Sequence, residues 1–196
     1  MDTENNTISS NDGHFVKTEG TAIISHLGMN YASTYIGAWE EELFMRSYRK
    51  PLMYFRFVDD VWGLWTHGLD ALLDFNTKGN QINPRIKLEL RYSTEQLEFL
   101  DTVTSLRGGS LHTDLYTKPT DTHLYLYMES SHPETTKKAI PYGLGVRVKR
   151  ICSEEGNYRK HREAVKDHLV NRGYEGAFVE KALTMADSKN VYPRHE

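Results

Sequence analysis

The sequence predicts an α+β fold in which a part built from helices and antiparallel hairpins is followed by a small helical part. Apolar residues recur first at helical spacing, then in the runs and alternations of strands, and after His132-Pro133 again at helical spacing. We therefore expect two domains, residues 1–130 and 131–196. With 196 residues, 38% of them hydrophobic, the chain can bury a core, which argues against general disorder.

The first part is predicted to hold two helices and several paired strands. Large apolar residues at helical spacing indicate a helix over residues 31–43, which Ser25 could cap. The apolar run of residues 52–65 favours two buried strands joined at Asp59-Asp60, because it is rich in aromatic and β-branched residues. A short helix is expected next, ended by Lys78-Gly79-Asn80. It is followed by a strand whose one face carries Ile86, Leu88, Leu90 and Tyr92. Residues 99–105 and 111–116 are then expected to form a hairpin around Gly108-Gly109.

The second part is predicted to contain three helices. The first covers residues 142–152, and Ser153 can cap the second, which Gly173 stops. A third helix follows around residues 178–183. The residues of the second helix that are expected to face inward are Tyr158, Val165, His168 and Leu169.

The composition limits the class of protein. A single cysteine, Cys152, excludes an internal disulfide framework and suits a reducing compartment. No apolar run is long enough for a membrane span, and residues 1–12 lack the apolar segment of a secretory signal. We therefore expect an intracellular protein, nuclear or cytoplasmic, with no membrane partner. His123 and His132 have no cysteine or carboxylate partners at zinc spacing.

Charge is distributed unevenly along the chain. Residues 137–172 hold ten Lys or Arg and four Asp or Glu, a local charge of +6. Residues 1–136 hold 11 basic and 19 acidic residues, a local charge of −8. A basic segment of this kind can bind the phosphate groups of a partner molecule. The same pattern is also typical of a solvated helical surface.

Asp59-Asp60 is the sharpest chemical feature, since two adjacent carboxylates stand between two strongly apolar runs. A solvent-facing turn can carry such a pair, because aspartate suits turns. Carboxylates at a hairpin tip also suit Mg²⁺, which prefers oxygen ligands, and nucleotidyl transfer uses two such ions. Both interpretations are open at this point.

The segment Phe57-Val58-Asp59-Asp60 resembles the aromatic-x-Asp-Asp box of reverse transcriptases. Its neighbours resemble further motifs of the reverse transcriptases of Penelope-like retroelements, in the same order and at similar spacing over nearly the whole chain. The first motif is a glycine-containing loop at Gly20-Thr21-Ala22 with the helix after Asn30. The second is a primer-grip region at Phe99-Leu100-Asp101 and residues 115–121. The third is a thumb, which the segments Ser131-His132-Pro133, Ile140-Pro141-Tyr142 and Arg150-Ile151-Cys152-Ser153 resemble.

The resemblance implies a partial reverse-transcriptase palm followed by a three-helix, helix-turn-helix-like thumb. Asp59, with Asp60 beside it, would be catalytic and would bind Mg²⁺. The partners of the intact enzyme would be an RNA template, a DNA primer and deoxynucleotides. The residues that would contact template, primer or nucleotide are Gly20, Thr21, Phe57, Lys87 and Lys118. Lys87 also fits the polar face of its strand without such a role.

The sequence also departs from the family pattern. Ile24 and Met29 stand where members carry Gly and Pro, and Phe57 stands where many carry Tyr. A β-branched residue cannot adopt the φ values that Gly allows, so we expect a distorted loop. The family's fingers and a further catalytic aspartate would precede residue 2, and an endonuclease would follow Glu196. We therefore expect a fragment of an RNA-directed DNA polymerase that is inactive alone.

Two alternatives remain open. The three C-terminal helices could bind nucleic acid without catalysis, or the chain could be a remnant reading frame, which the altered loop of residues 20–29 favours. For nucleic-acid binding we expect contacts to phosphates with little sequence preference. The residues expected to make them are Arg147, Lys149, Arg150, Arg159, Lys160 and Arg162.

Overall fold

The computed structural model describes residues 7–10, 13–16 and 26–189. It has a mixed α+β fold and divides into two compact units, Met1–Arg91 and Tyr92–Glu196. The division falls earlier than the expected boundary at residue 130, because the strand Ser110–Leu115 packs against two of the C-terminal helices. No helix within the described ranges is long and apolar enough to cross a membrane.

The first unit contains a short hairpin, a long helix, a second hairpin and a second helix. Its elements are β1 (Thr7–Ser10), β2 (Gly13–Val16), α1 (His26–Arg46), β3 (Met53–Phe57), β4 (Asp60–Leu64) and α2 (Leu69–Ile82). Trp39 and Leu43 of α1 pack with Phe75 of α2 to form a buried cluster. The predicted helix over residues 31–43 is confirmed within α1, and its proposed cap, Ser25, lies outside the described residues.

Helix α2 runs through the predicted stop at Gly79 and ends at Ile82. A Cβ atom on Gly79 would lie 2.9 Å from Leu88 Cδ1 and 3.3 Å from Trp39 Cζ2. Gly79 is therefore needed for a close approach of neighbouring side chains, and the prediction that it ends the helix is wrong.

The expected strand at residues 86–92 is not a strand in the structure. Its alternation is kept, since Ile86 and Leu88 pack against the first unit's buried cluster. The amide side chain of Asn80 makes the two backbone hydrogen bonds that a neighbouring strand would otherwise make with Leu88. Its Oδ1 accepts from Leu88 N at 2.8 Å and its Nδ2 donates to Leu88 O at 3.1 Å. Alternation thus predicted the inward positions of Ile86 and Leu88, but not that Tyr92 is 55% exposed or that the segment has no strand partner among the described residues.

Strands β3 and β4 form the antiparallel hairpin expected around the two aspartates, with Phe57 paired to Asp60. The prediction that both strands are buried is wrong. Trp62 is buried, but Phe55 and Phe57 are 56% and 60% exposed. The sheet has only these two strands, so within the described residues no further strand pairs with either of its edges.

The second unit begins with a three-stranded antiparallel sheet in chain order, β5 (Gln96–Phe99), β6 (Thr102–Arg107) and β7 (Ser110–Leu115). The predicted hairpin at Gly108-Gly109 is confirmed. Both glycines have left-handed backbones, with φ of 57° and 81°, as a two-residue hairpin turn requires.

Three helices complete the second unit: α3 (Glu134–Ile151), α4 (Glu155–Val170) and α5 (Gly176–Asp187). Helix α3 begins eight residues earlier than predicted and has Pro141 in its interior. The predicted cap is also wrong, because Glu154 holds the N-cap position of α4, and the Ser153 hydroxyl bonds to the backbone of Thr113 instead. The helices enclose a core that includes Val148, Tyr158, Val165, Leu169, Val179 and Leu183.

Candidate nucleic-acid interface

Helices α4 and α5 are joined by a tight turn over residues 171–175. Gly173 adopts φ of 82°, the left-handed conformation that commonly follows a helix end. Its N–H donates to Val170 O at 2.9 Å, and the N–H of the buried Tyr174 donates to Leu169 O at 3.2 Å. These bonds satisfy the last carbonyls of α4 and fix the direction in which α5 begins.

Helix α3 packs against both members of this pair. It lies close to α5 at Gly145, where an added Cβ would lie 2.9 Å from Ala186 Cβ and 2.9 Å from Leu183 Cδ2. Because Gly145 has no side chain, the two helices can touch. The result is a three-helix arrangement in which two helices are linked by a short glycine-containing turn, as in a helix-turn-helix motif.

Helix α5 has a buried side and an exposed side. Val179, Leu183 and Ala186 are buried. The exposed residues share the opposite face and are Ala177, Lys181, Thr184 and Met185. In a helix-turn-helix the second helix of the pair enters the major groove, so this face is the candidate recognition surface. The charge pattern of the sequence did not indicate Lys181, because it is a single lysine on an otherwise neutral helix face.

An ion-pair network ties α4 to α5. Arg162 donates to Glu180 at 2.8 Å and to Asp187 at 3.3 Å, and its side chain is only 15% exposed. Lys166 lies 3.0 Å from Glu180, and the Tyr158 hydroxyl donates to Asp187. The hydrogen bond from Arg162 is the main cause that lowers the pKa of Glu180 to about 2.

This network changes the role expected for Arg162. The helical pattern placed it on the outer face of α4, free to meet phosphate. The structure instead directs its guanidinium to two carboxylates of the neighbouring helix, where it holds the motif together.

Three of the other predicted cations already have partners within the second unit. Arg147 pairs with Asp101 at 2.9 Å and Arg159 pairs with Glu155 at 2.8 Å. The Lys149 ammonium lies 4.7 Å from the centre of the Tyr158 ring. Arg147 and Arg159 remain largely exposed, so a phosphate could compete for them, but each contact would require breaking an existing one.

Arg150 and Lys160 are exposed and make no ion pair with any residue that the structure describes. The same holds for Lys181 on α5. These three residues are here called the open cations. Exposed acids lie near Lys160 on α4, namely Glu155, Glu163 and Asp167, so the surface of this helix carries both signs of charge.

The hairpin β3–β4 places Asp59 and Asp60 at its tip, both exposed. Val58 has φ of 56°, which is unfavourable for a β-branched residue and is a form of strain found at functional turns. Arg56 supports this tip, because it donates to Val58 O at 3.2 Å and pairs with Glu40 at 2.8 Å. Among the described residues, the two aspartates do not belong to any group of three metal-ligating side chains.

The remaining predicted site residues are placed as follows. Phe57 is largely exposed beside the two aspartates. Lys87 is exposed on the outward side of the segment after α2, as the polar-face interpretation expects. Lys118 is exposed in a turn closed by the Asp121 N–H donating to its carbonyl at 2.9 Å. Gly20 and Thr21 lie outside the described residues.

Comparison with known families identifies only the helical region. A family model described as an animal helix-turn-helix domain matches residues 124–184, which include α3, α4 and most of α5. No curated protein and no solved structure matches the chain. Residues 124–184 are therefore similar to a helix-turn-helix domain, the arrangement that the packing of α3, α4 and α5 also forms.

Proposed function

We propose that the second unit, Tyr92–Glu196, is a nucleic-acid-binding helix-turn-helix module. The observation that carries this proposal is the α4–turn–α5 pair packed on α3, within a segment that matches a helix-turn-helix family model. The open cations, one on each helix, supply the attraction to phosphate.

The proposed binding has little sequence preference. Base readout in the major groove relies on side chains that donate or accept hydrogen bonds, above all Arg, Lys, Asn and Gln. On the exposed face of α5 only Lys181 is of this kind. The Thr184 hydroxyl donates its proton to Glu180 O at 2.9 Å, so it is left only as an acceptor. Contacts to the phosphate backbone therefore dominate the proposed interface.

A binding titration with matched variants tests this proposal. The full chain is titrated into labelled DNA duplex and RNA–DNA duplex, and affinity is followed by fluorescence anisotropy. We expect the triple variant R150A/K160A/K181A to lose about tenfold or more in affinity. The control R49A/K50A/R91A removes three exposed cations of the first unit and changes the net charge equally.

The control variant is expected to bind nearly as well as the unmodified chain. An equal loss in both triple variants would show that only overall charge matters. Absence of binding at low salt by the unmodified chain would contradict the proposal altogether.

As a second proposal, the first unit is part of an RNA-directed DNA polymerase, in which Asp59 and Asp60 bind Mg²⁺. The exposed aspartates at the strained hairpin tip, which follow Phe57 and Val58, support it. Two Mg²⁺ ions carry four positive charges, and these two carboxylates supply at most two negative charges. Further acidic ligands are needed to hold both ions.

We therefore expect no primer extension by this chain alone. A template-dependent incorporation assay with Mg²⁺ and deoxynucleotides measures this directly. Incorporation that is lost in D59N but kept in D70N, an exposed aspartate on α2, would show that the chain is a complete catalyst and would refute this expectation.

A further inference from the structure

Three metal-ligating side chains from different elements meet in the second unit. Asp114 lies on β7, Cys152 follows the last residue of α3, and His161 lies on α4. The Asp114 carboxylate, the Cys152 sulfur and a ring nitrogen of His161 all lie within 4.8 Å of one another. No other group of three such ligands occurs in the part of the chain that the structure describes.

Two of the three distances within this cluster are close to those around a tetrahedral metal ion. Cys152 Sγ lies 3.5 Å from Asp114 Oδ1, and His161 Nε2 lies 3.0 Å from the same oxygen. Tetrahedral zinc has bonds of about 2.3 Å to sulfur and about 2.0 Å to nitrogen and oxygen. These bonds separate sulfur from oxygen by roughly 3.5 Å and nitrogen from oxygen by roughly 3.3 Å. One ion also requires roughly 3.5 Å between the Cys152 sulfur and the His161 nitrogen. These two atoms lie within 4.8 Å of each other, so movement of the His161 ring would have to close any remaining gap.

The surroundings hold the three ligands in place. Cys152 is 6% exposed, and the His161 side chain is 18% exposed. The residues on both sides of the cysteine form hydrogen bonds with Thr113. Thr113 Oγ1 donates to Ile151 O at 2.6 Å, and Thr113 N donates to Ser153 Oγ at 2.9 Å. Strand β7 is thereby fixed against the α3–α4 connection at the position of the cluster.

We propose that Asp114, Cys152 and His161 bind one zinc ion. Thiolate sulfur, imidazole nitrogen and carboxylate oxygen are the three ligand types that zinc takes in proteins. The Cys152 thiol releases its proton on binding, and His161 binds through Nε2 with its remaining proton on Nδ1. A water molecule completes the tetrahedron. The ion joins β7 to α4 and braces the sheet against the helices.

A nucleophilic cysteine is a different arrangement of the same residue types. It requires the histidine to contact the sulfur and the carboxylate to orient the histidine. Here Asp114 Oδ1 accepts from both Cys152 and His161, so the carboxylate lies between them. The geometry therefore supports a shared ligand site and not a Cys–His pair.

Cobalt titration of the full, metal-free chain tests the proposal. Co²⁺ bound by a thiolate gives a sulfur-to-cobalt charge-transfer absorption band, and zinc should abolish it by displacing cobalt at one ion per chain. H161Q and D114N should each weaken binding about tenfold or more. H132A is the matched control, because His132 is exposed in the same unit and its side chain forms a hydrogen bond with Ser130, away from the three ligands.

Circular dichroism shows whether each variant is folded. C152S should lose the charge-transfer band, and if this variant does not fold, H161Q decides the question. A metal-free hydrogen-bonded cluster is the competing outcome. The absence of the band in the unmodified chain, or equal cobalt affinity of H161Q and the unmodified chain, would establish that outcome and overturn the proposal.

Discussion

Substitution of Gly145 by alanine probes the contact between α3 and α5 on which the helix-turn-helix arrangement depends. The new Cβ would lie 2.9 Å from Ala186 Cβ and from Leu183 Cδ2, closer than carbon atoms approach without strain. Both neighbours are fully buried, and Ala186 Cβ can retreat only if the backbone of α5 moves. Overpacking of this kind costs about 1–3 kcal/mol.

A second glycine of the same helix supplies the control. An added Cβ at Gly143 meets nothing within 4 Å. Alanine exceeds glycine in helix propensity by about 0.8–1 kcal/mol, a gain that both substitutions share. We therefore expect G143A to stabilise the second unit by somewhat less than about 1 kcal/mol, and G145A to be less stable than G143A by about 1–3 kcal/mol.

Hydrogen–deuterium exchange of peptides from α3 and α5 measures this difference locally, because exchange reports the free energy of opening of each segment. Faster exchange in both helices of G145A, with slower or unchanged exchange in G143A, is the expected result. If the two variants exchange alike, α3 and α5 do not pack at Gly145 and the arrangement described above is incorrect.

Further predictions concern the turn, the core and the ion pairs. G173A forces a side chain into a left-handed backbone with φ of 82° and should destabilise the α4–α5 pair by about 1–2 kcal/mol in the same exchange assay. L169A removes a side chain with no exposed surface and should cost about 2–5 kcal/mol in thermal unfolding. Glu180 has its pKa lowered from 4.5 to about 2, so its contribution is present above pH 4.5 and is lost as pH falls toward 2. Because its side chain is 43% exposed, that contribution is at most about 1 kcal/mol. The melting temperature of E180Q should therefore fall less on acidification than that of the unmodified chain. If both fall equally, Glu180 is not paired with Arg162 and Lys166.

Local patterns in the sequence predicted those features that depend on neighbouring residues. Gly108-Gly109 marked a hairpin because only glycine readily takes both positive φ values there. The tip at Asp59-Asp60 was predicted from the apolar runs on both sides. The inward positions Tyr158, Val165 and Leu169 followed from helical spacing, and all three are buried.

Features that depend on distant residues were not predictable in this way. Gly79 was predicted to end its helix, yet it lies inside α2, because tertiary packing outweighs local preference. The first C-terminal helix was predicted to begin at residue 142, yet α3 begins at Glu134 and has Pro141 in its interior. Arg162 appeared free on a helical wheel, while its partners lie 18 and 25 residues further along the chain. Such pairings require the three-dimensional arrangement of the helices.

The candidate zinc site shows the same limit. Cys152 and His161 are nine positions apart, which is not a recognised zinc spacing, and Asp114 is 38 residues before the cysteine. Considered alone, Cys152 indicates only that the chain has no internal disulfide framework. Only the packing of β7 against the α3–α4 connection brings the three ligands together.

The salt dependence of nucleic-acid affinity is the sharpest test of phosphate binding by the second unit. If Arg150, Lys160 and Lys181 each contact one phosphate, log affinity should fall against log salt with a slope of about −2.7. This slope corresponds to a loss of about 40-fold between roughly 50 and 200 mM salt. The variant R150A/K160A/K181A should show a slope near zero. A slope near zero for the unmodified chain, or the same steep slope in both proteins, would contradict phosphate binding by the helix-turn-helix unit.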